Sequence, residues 1–331
     1  MKEAGKMKNK DKAPYMPPVF NKEKFRKYVM GAKDREGILP LAVKYVLLIG
    51  IGFVYLYPIL YMISTSLMSL DDLLDASIKW IPSGLYMKNY ANAFKVMRFW
   101  KSLKDSVLIA GVPTLIQVCS TAVIGYGFAR FNFKGKRIMM GILIFSFILP
   151  AQVTMMPNYV LLTNLKLVGS LNAFGLPAVF GQGIKAQIFI LIFYNFFRQV
   201  PQALIEAAHI DGAGYFRSFF RISLPSAAPA ILVVFLFSVV WYWNESYLTQ
   251  LYIKGLGTGS ANGLTTLVVE LKNFTNIYEQ YNQGNQQQLG NINESIKMAG
   301  TMLSILPLLL MYAFLQRFFV ESIDRTGITG E

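Results

Sequence analysis

The chain has 331 residues, 54% of them hydrophobic and 15% charged, with a formal net charge of +14. Ordinary soluble domains carry roughly 25% charged residues, so this chain is short of the charge needed to cover a water-facing surface. Its single cysteine, Cys119, excludes a disulfide framework and any multi-cysteine metal site. Its single histidine, His209, excludes a two-His zinc motif and argues against a His-based triad, and no metal site is expected. The bases lie between long apolar tracts and not on one polar face, which argues against a nucleic-acid partner. The composition is that of an integral membrane protein.

Residues 1–44 hold 12 Lys and Arg and no apolar run long enough to insert, and they read as a basic cytoplasmic tail, mostly without fixed structure. Its plain uses are setting topology and meeting anionic lipid. Lys44 to Asp71 encloses 26 uncharged residues, and a first transmembrane helix is predicted over 45–67. This run is too long for the core of a cleaved signal peptide and follows a long polar leader. Residues 68–105 form an outer loop, in which Trp80, Pro82, Tyr86, Tyr90, Phe94 and Trp100 predict packing on the outer rim.

The remaining spans fall within 102–320, at about 106–129, 138–162, 173–197, 224–244 and 298–316. The span at 173–197 is interrupted by Gly175, Pro177, Gly181, Gly183 and Lys185, so its outer half is expected to be broken, with Lys185 snorkelling or facing a wet cavity. Pro150, Pro157 and Pro177 are expected to break helices. Six spans place both termini in the cytoplasm and leave 321–331 as a cytoplasmic C-terminal tail. This topology puts 21 of the 32 bases on the cytoplasmic side. In the last outer loop, about 252–297, residues 255–263 are Gly-rich, 264–274 form an amphipathic element, and Asn/Gln-rich 282–293 reads as surface loop. Cys119 and the many Met and Phe residues read as lipid-facing or packing residues.

The segment after the fourth span departs from a short basic loop. Pro201 suits a first helical position, Gln202 to Ala208 are good helix formers, and Gly212 supplies a stop. Leu224-Pro225 then opens the next span. A short helix tethered at both ends across the membrane face can pass force into the bundle, so it reads as a docking element.

Glu206-Ala207-Ala208, three residues, Gly212, nine residues, Ile222, one residue and Leu224-Pro225 resemble the EAA loop of ABC importer permeases. Further motifs resemble the maltose-type, multiple-sugar branch of that family: Gly125 to Phe131 with Phe133-Lys134-Gly135, Leu149-Pro150, Met156-Pro157-Asn158-Tyr159, Phe196-Phe197 before Pro201, Trp243-Asn244-Glu245, and Gln316-Arg317-Phe318-Phe319-Val320. The resemblance covers about residues 45–330. It weakens at the tail Ser322 to Gly330, where Thr329 replaces a common Lys, and at the long outer loop and the extended leader.

The resemblance implies an all-α type I importer fold and a non-enzymatic transport subunit, multi-pass in the cytoplasmic membrane of a prokaryote. It implies as partners a second homologous permease, an ABC ATPase dimer that supplies ATP and Mg²⁺ chemistry, and an external solute-binding protein, with a carbohydrate, an oligosaccharide, as cargo. No phosphate-cradling G-x-x-x-x-G-K-[ST] and no G-x-S-x-G occurs in the chain, so the energy is expected to come from elsewhere. Carried over residue by residue, Glu206 pairs with a basic group of the ATPase, Ala207 and Ala208 permit close docking, Asp211 adds an acidic contact, and Gly212 makes the turn. His209 falls in a variable slot and reads as a surface histidine.

Polar and aromatic residues within spans are candidates for the substrate path: Gln117, Gln152, Asn158, Tyr159, Lys185, Tyr194, Asn195, Trp241 and Asn244. Helix packing explains most of them equally well. An importer of a non-sugar solute shares the EAA loop but not the Trp243-Asn244-Glu245 and Gln316 to Val320 endings. An ion-coupled secondary transporter predicts inverted repeats and a midplane carboxylate pair, and no acid lies inside any assigned span. A membrane receptor or assembly factor is a third class, distinguished by transport itself.

Overall fold

A computed structural model of the chain describes residues 31–32, 35–78, 80–254, 263–284 and 291–327. Residues 1–30 of the N-terminal tail, the Gly-rich stretch over 255–262, residues 285–290 of the Asn/Gln-rich loop and residues 328–331 of the C-terminal tail lie outside the described residues. The chain divides into two units, Met1–Tyr61 and Met62–Glu331.

In the first unit, β1 (Gly31–Ala32) pairs antiparallel with β2 (Arg35–Glu36), Gly31 opposite Glu36. Helix α1 (Ile38–Ser66) then begins at Ile38 and not at residue 45. Pro40 is tolerated in the first helical turn, and the long stem of Lys44 lets a charge near a helix end reach water. With 29 residues, α1 is about 43 Å long, more than the ~30 Å hydrocarbon core requires.

The second unit holds α2 (Lys88–Val96), α3 (Phe99–Arg130), α4 (Lys136–Ile148), α5 (Ala151–Asn164), α6 (Asn172–Val179), α7 (Ala186–Gln199), α8 (Gln202–Ile210), α9 (Ala228–Asn244), α10 (Leu267–Lys272), α11 (Phe274–Gly284) and α12 (Glu294–Gly327). α3 is its pillar, packing on α7, α9 and α6. The approach to α7 is closest at Gly125, where an added Cβ would lie 2.6 Å from Phe193 Cβ. A small residue at such a crossing lets two backbones come together without lipid between them.

Among the described residues, three helices are individually long and apolar enough to cross a membrane, Ile38–Ser66, Phe99–Arg130 and Glu294–Phe318, and three bent pairs qualify jointly. The stretch predicted as one span over 138–162 is α4 and α5 meeting at 103°. Pro150 lacks an N–H, and the residue before a proline is pushed out of the helical region; Leu149 accordingly sits at φ −60°, ψ 129°. Pro157 lies inside α5 and Pro177 inside α6, so neither stands at a break, although α6 ends soon after Pro177. The stretch predicted as one span over 173–197 holds α6, an irregular stretch and α7, and the bent pair that qualifies jointly here is α7 with Gln202–Ile210, at 71°. The span predicted over 224–244 is α9, which meets the preceding segment Tyr215–Ser226 at 74°.

Two buried clusters fill the unit. One gathers Ile109, Phe174, Tyr242, Trp243, Tyr252 and Leu267 toward the Phe99 end of α3. The other gathers Tyr126, Phe189, Phe193, Phe197 and Phe219 toward the Arg130 end. In the segment over 68–105, Tyr90 and Phe94 pack on the first cluster, but Trp80, Tyr86 and Trp100 are exposed, so only part of that aromatic set packs down. Among the described residues α4 buries no side chain and α5 only Leu162. Apolar faces of that extent belong against lipid or another helix.

Candidate functional site

α8 lies across the Arg130 end of the bundle, bent 71° from α7. Val200 adopts φ −63°, ψ 124°, as expected before a proline, and Pro201 then starts the new helix without needing an N–H partner. α8 ends on a left-handed Gly212 with φ +81°. There the Ala213 N–H donates to Ala208 O at 2.8 Å and the Gly212 N–H to His209 O at 3.0 Å, the closing pattern of a helix that stops on glycine. These bonds satisfy carbonyls that a short exposed helix would otherwise leave to water.

One face of α8 is anchored and the other is free. Ile205 is buried, whereas Gln202, Ala203, Glu206, Ala207 and Ile210 are exposed. Ile210 is 87% exposed and Phe216, just after the turn, is 83% exposed. An acid set beside large exposed apolar groups on one helix face is a docking surface in chemical terms. Asp211 and Gly212 are also exposed, at the C-terminal corner of the same face. Farther on, Ile222 and Leu224 are half-buried, Leu224 against the second cluster, while Pro225 is exposed. They belong to the return segment, which includes a π-helical turn over Phe219–Ser223.

Two residues at the end of α3 touch α8 or its return segment. Arg130 Nη2 donates to Val200 O at 2.6 Å, and Nη1 donates to Gln202 Oε1 at 3.1 Å. The Phe131 ring lies 5.3 Å from that of Tyr215, and Tyr215 lies 4.9 Å from the His209 ring, edge to face at 82°. His209 is therefore half-buried and not a plain surface histidine, because the Gly212 turn folds Tyr215 back onto it. Among the described residues its Nε2 has no hydrogen-bond partner. None of these contacts was read from the sequence. The motif Gly125 to Phe131 marked the place but not the partner.

The substrate-path candidates separate into groups. Lys185, a left-handed residue at φ +57°, puts its ammonium 5.1 Å from the centre of the Trp241 ring, which is itself 45% exposed. Tyr194 and Asn195 lie with Arg198 on the last turns of α7. Arg198 Nη1 donates to the Tyr194 hydroxyl at 3.4 Å, and Asn195, Arg198 and Gln199 line an open depression of about 350 Å³. Asn158 on α5 bonds the Tyr252 hydroxyl, and Tyr159 packs half-buried on the first cluster. Gln152 and Asn244 are exposed. Gln117 is fully buried and spends its amide inside the bundle, on Ile184 and Tyr242. Trp243 donates to Ser304 O at 3.3 Å, joining α9 to α12, and Glu245 Oε1 accepts from the Tyr247 and Leu248 N–H groups. The Trp243-Asn244-Glu245 motif is thus largely a packing and capping device.

At the Phe99 end the structure holds charges that the sequence did not single out. Glu270 is 1% exposed, accepts from Thr265 Oγ1 at 2.7 Å, and lies 3.5 Å from Arg98. Asp105 pairs with Lys101 at 3.1 Å and accepts from the Thr265 N–H at 3.2 Å. A buried carboxylate needs such partners to remain charged. Together they fasten the segment before α10 to the start of α3.

A family model described as binding-protein-dependent transport system inner membrane component matches residues 121–325, more than half of the chain. Protein LplC of Bacillus subtilis is 28% identical over 281 residues, covering 85% of this chain and 92% of that protein. The arabinooligosaccharides transport system permease protein AraQ of Halalkalibacterium halodurans is 26% identical, over 85% of this chain and 93% of that protein. A solved chain from a bacterial ABC transporter involved in the import of the acidic polysaccharide alginate superposes with a TM-score of 0.66 at 21% identity, over 84% of this chain and 95% of that chain. That likeness is one of fold. The all-α membrane architecture and the family match agree, and the chain belongs to the family of binding-protein-dependent transport system inner membrane components.

Proposed function

We propose that the chain is the permease subunit of an ATP-driven importer of carbohydrate, an oligosaccharide, and that α8 is where the ATPase docks. The observation that carries the docking half is the exposed face of α8, with Glu206 between Ala203 and Ile210, on a helix fixed at both ends. The carbohydrate half rests on relatives whose names specify arabinooligosaccharides, polygalacturonan or rhamnogalacturonan, and diacetylchitobiose. As a member of its family the chain is a transport component and not an enzyme.

In this reading the chain crosses the cytoplasmic membrane of a prokaryote six times, with both termini inside. A second permease covers part of the apolar surface left by α4 and α5. Separate ATPase subunits hold ATP and Mg²⁺, and an external binding protein delivers the solute. Glu206 pairs with a base on the ATPase, Ala207 and Ala208 admit a close approach, Asp211 adds charge, and Gly212, Ile222, Leu224 and Pro225 shape the return into α9. Closure of the ATPase dimer pushes α8 and switches the bundle between outward and inward access. Lys185 with Trp241, and Tyr194 with Asn195, are the pairs best disposed to meet a sugar, because aromatic faces and amide or ammonium donors suit hydroxylated rings.

The test is uptake by vesicles holding the reconstituted complex, with ATP inside and binding protein outside, offered labelled arabino-oligosaccharides and chitobiose. ATP-dependent accumulation of an oligosaccharide is expected. One relative is named for osmoprotective compounds, so accumulation of small osmolytes but no oligosaccharide would replace the cargo half of the reading. Uptake that persists without ATP and follows an ion gradient would replace all of it.

A further inference from the structure

We infer that Arg130 and Phe131, at the end of α3, form a clamp that holds both ends of α8 and turns movement of α8 into movement of α3, with Arg130 as the positioning residue for energy coupling. This rests on the reading of α8 as the ATPase-docking helix, and it assigns a task to a motif that reading leaves idle.

The elbow between α7 and α8 is mechanically weak by construction. Pro201 has no N–H, and the last carbonyls of a helix have no intrahelical partner, so the backbone at Val200 is not held by helix bonds across the bend. Arg130 supplies what is missing. Its planar guanidinium offers donors in a fixed fork, one arm meeting the Val200 carbonyl on the α7 side and the other the Gln202 side chain on the α8 side. A change in the elbow angle must break one of these bonds or carry Arg130 with it.

The far end of α8 is held by the next residue along. Phe131 meets Tyr215, and Tyr215 meets His209 in the last turn of α8, with ring centres 5.3 Å and 4.9 Å apart. Behind this clamp α3 is stiffly seated. Tyr126 contacts the Phe197 and Phe219 rings at 5.3 Å and 4.8 Å, and Gly125 allows the tight crossing with α7. α3 also carries Gln117, which holds the irregular stretch before α7 at Ile184, and Asp105, which holds Thr265 beyond the opposite end. One rigid helix thus connects the two ends of α8 to the break at 180–185 and to the segment before α10.

The clamp uses Gln202 at the start of α8 but not Glu206, Ala207 or Ile210, so docking at those residues and transmission through Arg130 can be separated. The complex is purified through a tag on this chain, trapped with Mg-ATP and vanadate, and followed by hydrogen exchange in peptides covering 202–214, 180–185 and 263–272. In the wild type, trapping changes exchange in all three. Arg130→Gln is expected to retain the ATPase and the change in 202–214, while the changes in 180–185 and 263–272 shrink about tenfold, the scale of one lost charge-assisted hydrogen bond. Arg130→Lys, able to reach one acceptor but not to fork, is expected to restore part of the response. Where Arg130→Gln fails to accumulate, Gln202→Ala removes one bond from an exposed side chain and is expected to shrink the distant changes by a smaller factor. Wild-type spread in Arg130→Gln or, failing that variant, in Gln202→Ala overturns the clamp, as does a wild type whose distant peptides never respond. Loss of the ATPase from Arg130→Gln also overturns it, because Arg130 would then belong to the dock. Retention of the ATPase by Glu206→Lys is a separate outcome, and it refutes the docking reading and not the grip of Arg130 on the elbow.

Discussion

The Tyr242 hydroxyl donates to Gln117 Oε1 at 2.8 Å, and through this pair α9 and α3 hold the break between α6 and α7. Gln117 Nε2 donates to Ile184 O at 2.9 Å, and the Ile184 N–H donates back to the Tyr242 hydroxyl at 3.2 Å. Polar groups of two helices and of the irregular stretch are thereby mutually satisfied where the backbone leaves the helical path. Irregular backbone inside a membrane bundle is tolerated only when its groups are paired in this way. Tyr242→Phe leaves Gln117 Oε1 and the Ile184 N–H short of a partner, and a loss of about 1–3 kcal/mol is expected. Thermal unfolding of the detergent-solubilised protein measures it, and an unchanged midpoint would contradict the account of the break.

Glycines provide an internally controlled series. A Cβ at Gly183 would stand 1.9 Å from Gln117 Oε1 and 2.5 Å from the Tyr242 hydroxyl, and one at Gly125 would meet Phe193 Cβ and the backbone of Ile190 and Tyr194. Alanine at either is expected to cost about 1–3 kcal/mol by overpacking. Gly127 has open space around it, so Gly127→Ala should gain about 0.5–1 kcal/mol by favouring the helix. Gly212→Ala has room but keeps a left-handed backbone, at about 1–2 kcal/mol. Equal losses at Gly125 and Gly127 in the same unfolding assay would remove the close-crossing explanation.

Acid sensitivity is expected after α1. The Ser83 hydroxyl donates to Asp72, and Ser69 and Asp72 exchange side-chain and backbone bonds in a capping box at the head of Leu70–Leu74. The Ser83 bond holds the Asp72 carboxyl below its usual 3.8; burial opposes this, and the Ser69 bonds add to it. A folded-state value below the unfolded one stabilises above the unfolded value and is lost as pH falls through the folded one. Exchange over residues 69–86 should therefore stay slow above about pH 4 and rise below it. Asp72→Asn should flatten that dependence, and a wild-type profile flat through the acid range would count against it.

Much of this architecture is legible from charge spacing, because a long uncharged run has few other places to go than the membrane. The EAA spacing likewise led to α8, since Pro201 and Gly212 bracket it chemically. Bends and partners were harder. Pro150, Pro157 and Pro177 look alike in sequence, yet only Pro150 stands at a break, while Pro157 lies in the middle of α5 and Pro177 near the end of α6, and no local pattern separates the three. Gln117 reads as a polar residue in a span, and only its neighbours distinguish a substrate ligand from a structural amide. The links from Arg130 to Val200 and from Lys185 to Trp241 join distant segments, so no local pattern encodes them. Glu270 lies in the stretch read only as an amphipathic element, and its burial beside Arg98 and Thr265 is visible only in the fold.

The central claim is that the exposed face of α8 receives the ATPase. Glu206 is exposed and its neighbours do not depend on it, so Glu206→Lys should leave the protein's stability within about 0.5 kcal/mol of wild type. The direct measurement is the amount of ATPase subunit that co-purifies with tagged Glu206→Lys from the membrane, relative to wild type at equal permease. Loss of the ATPase with a normally folded permease is the predicted result. Full retention would contradict the account.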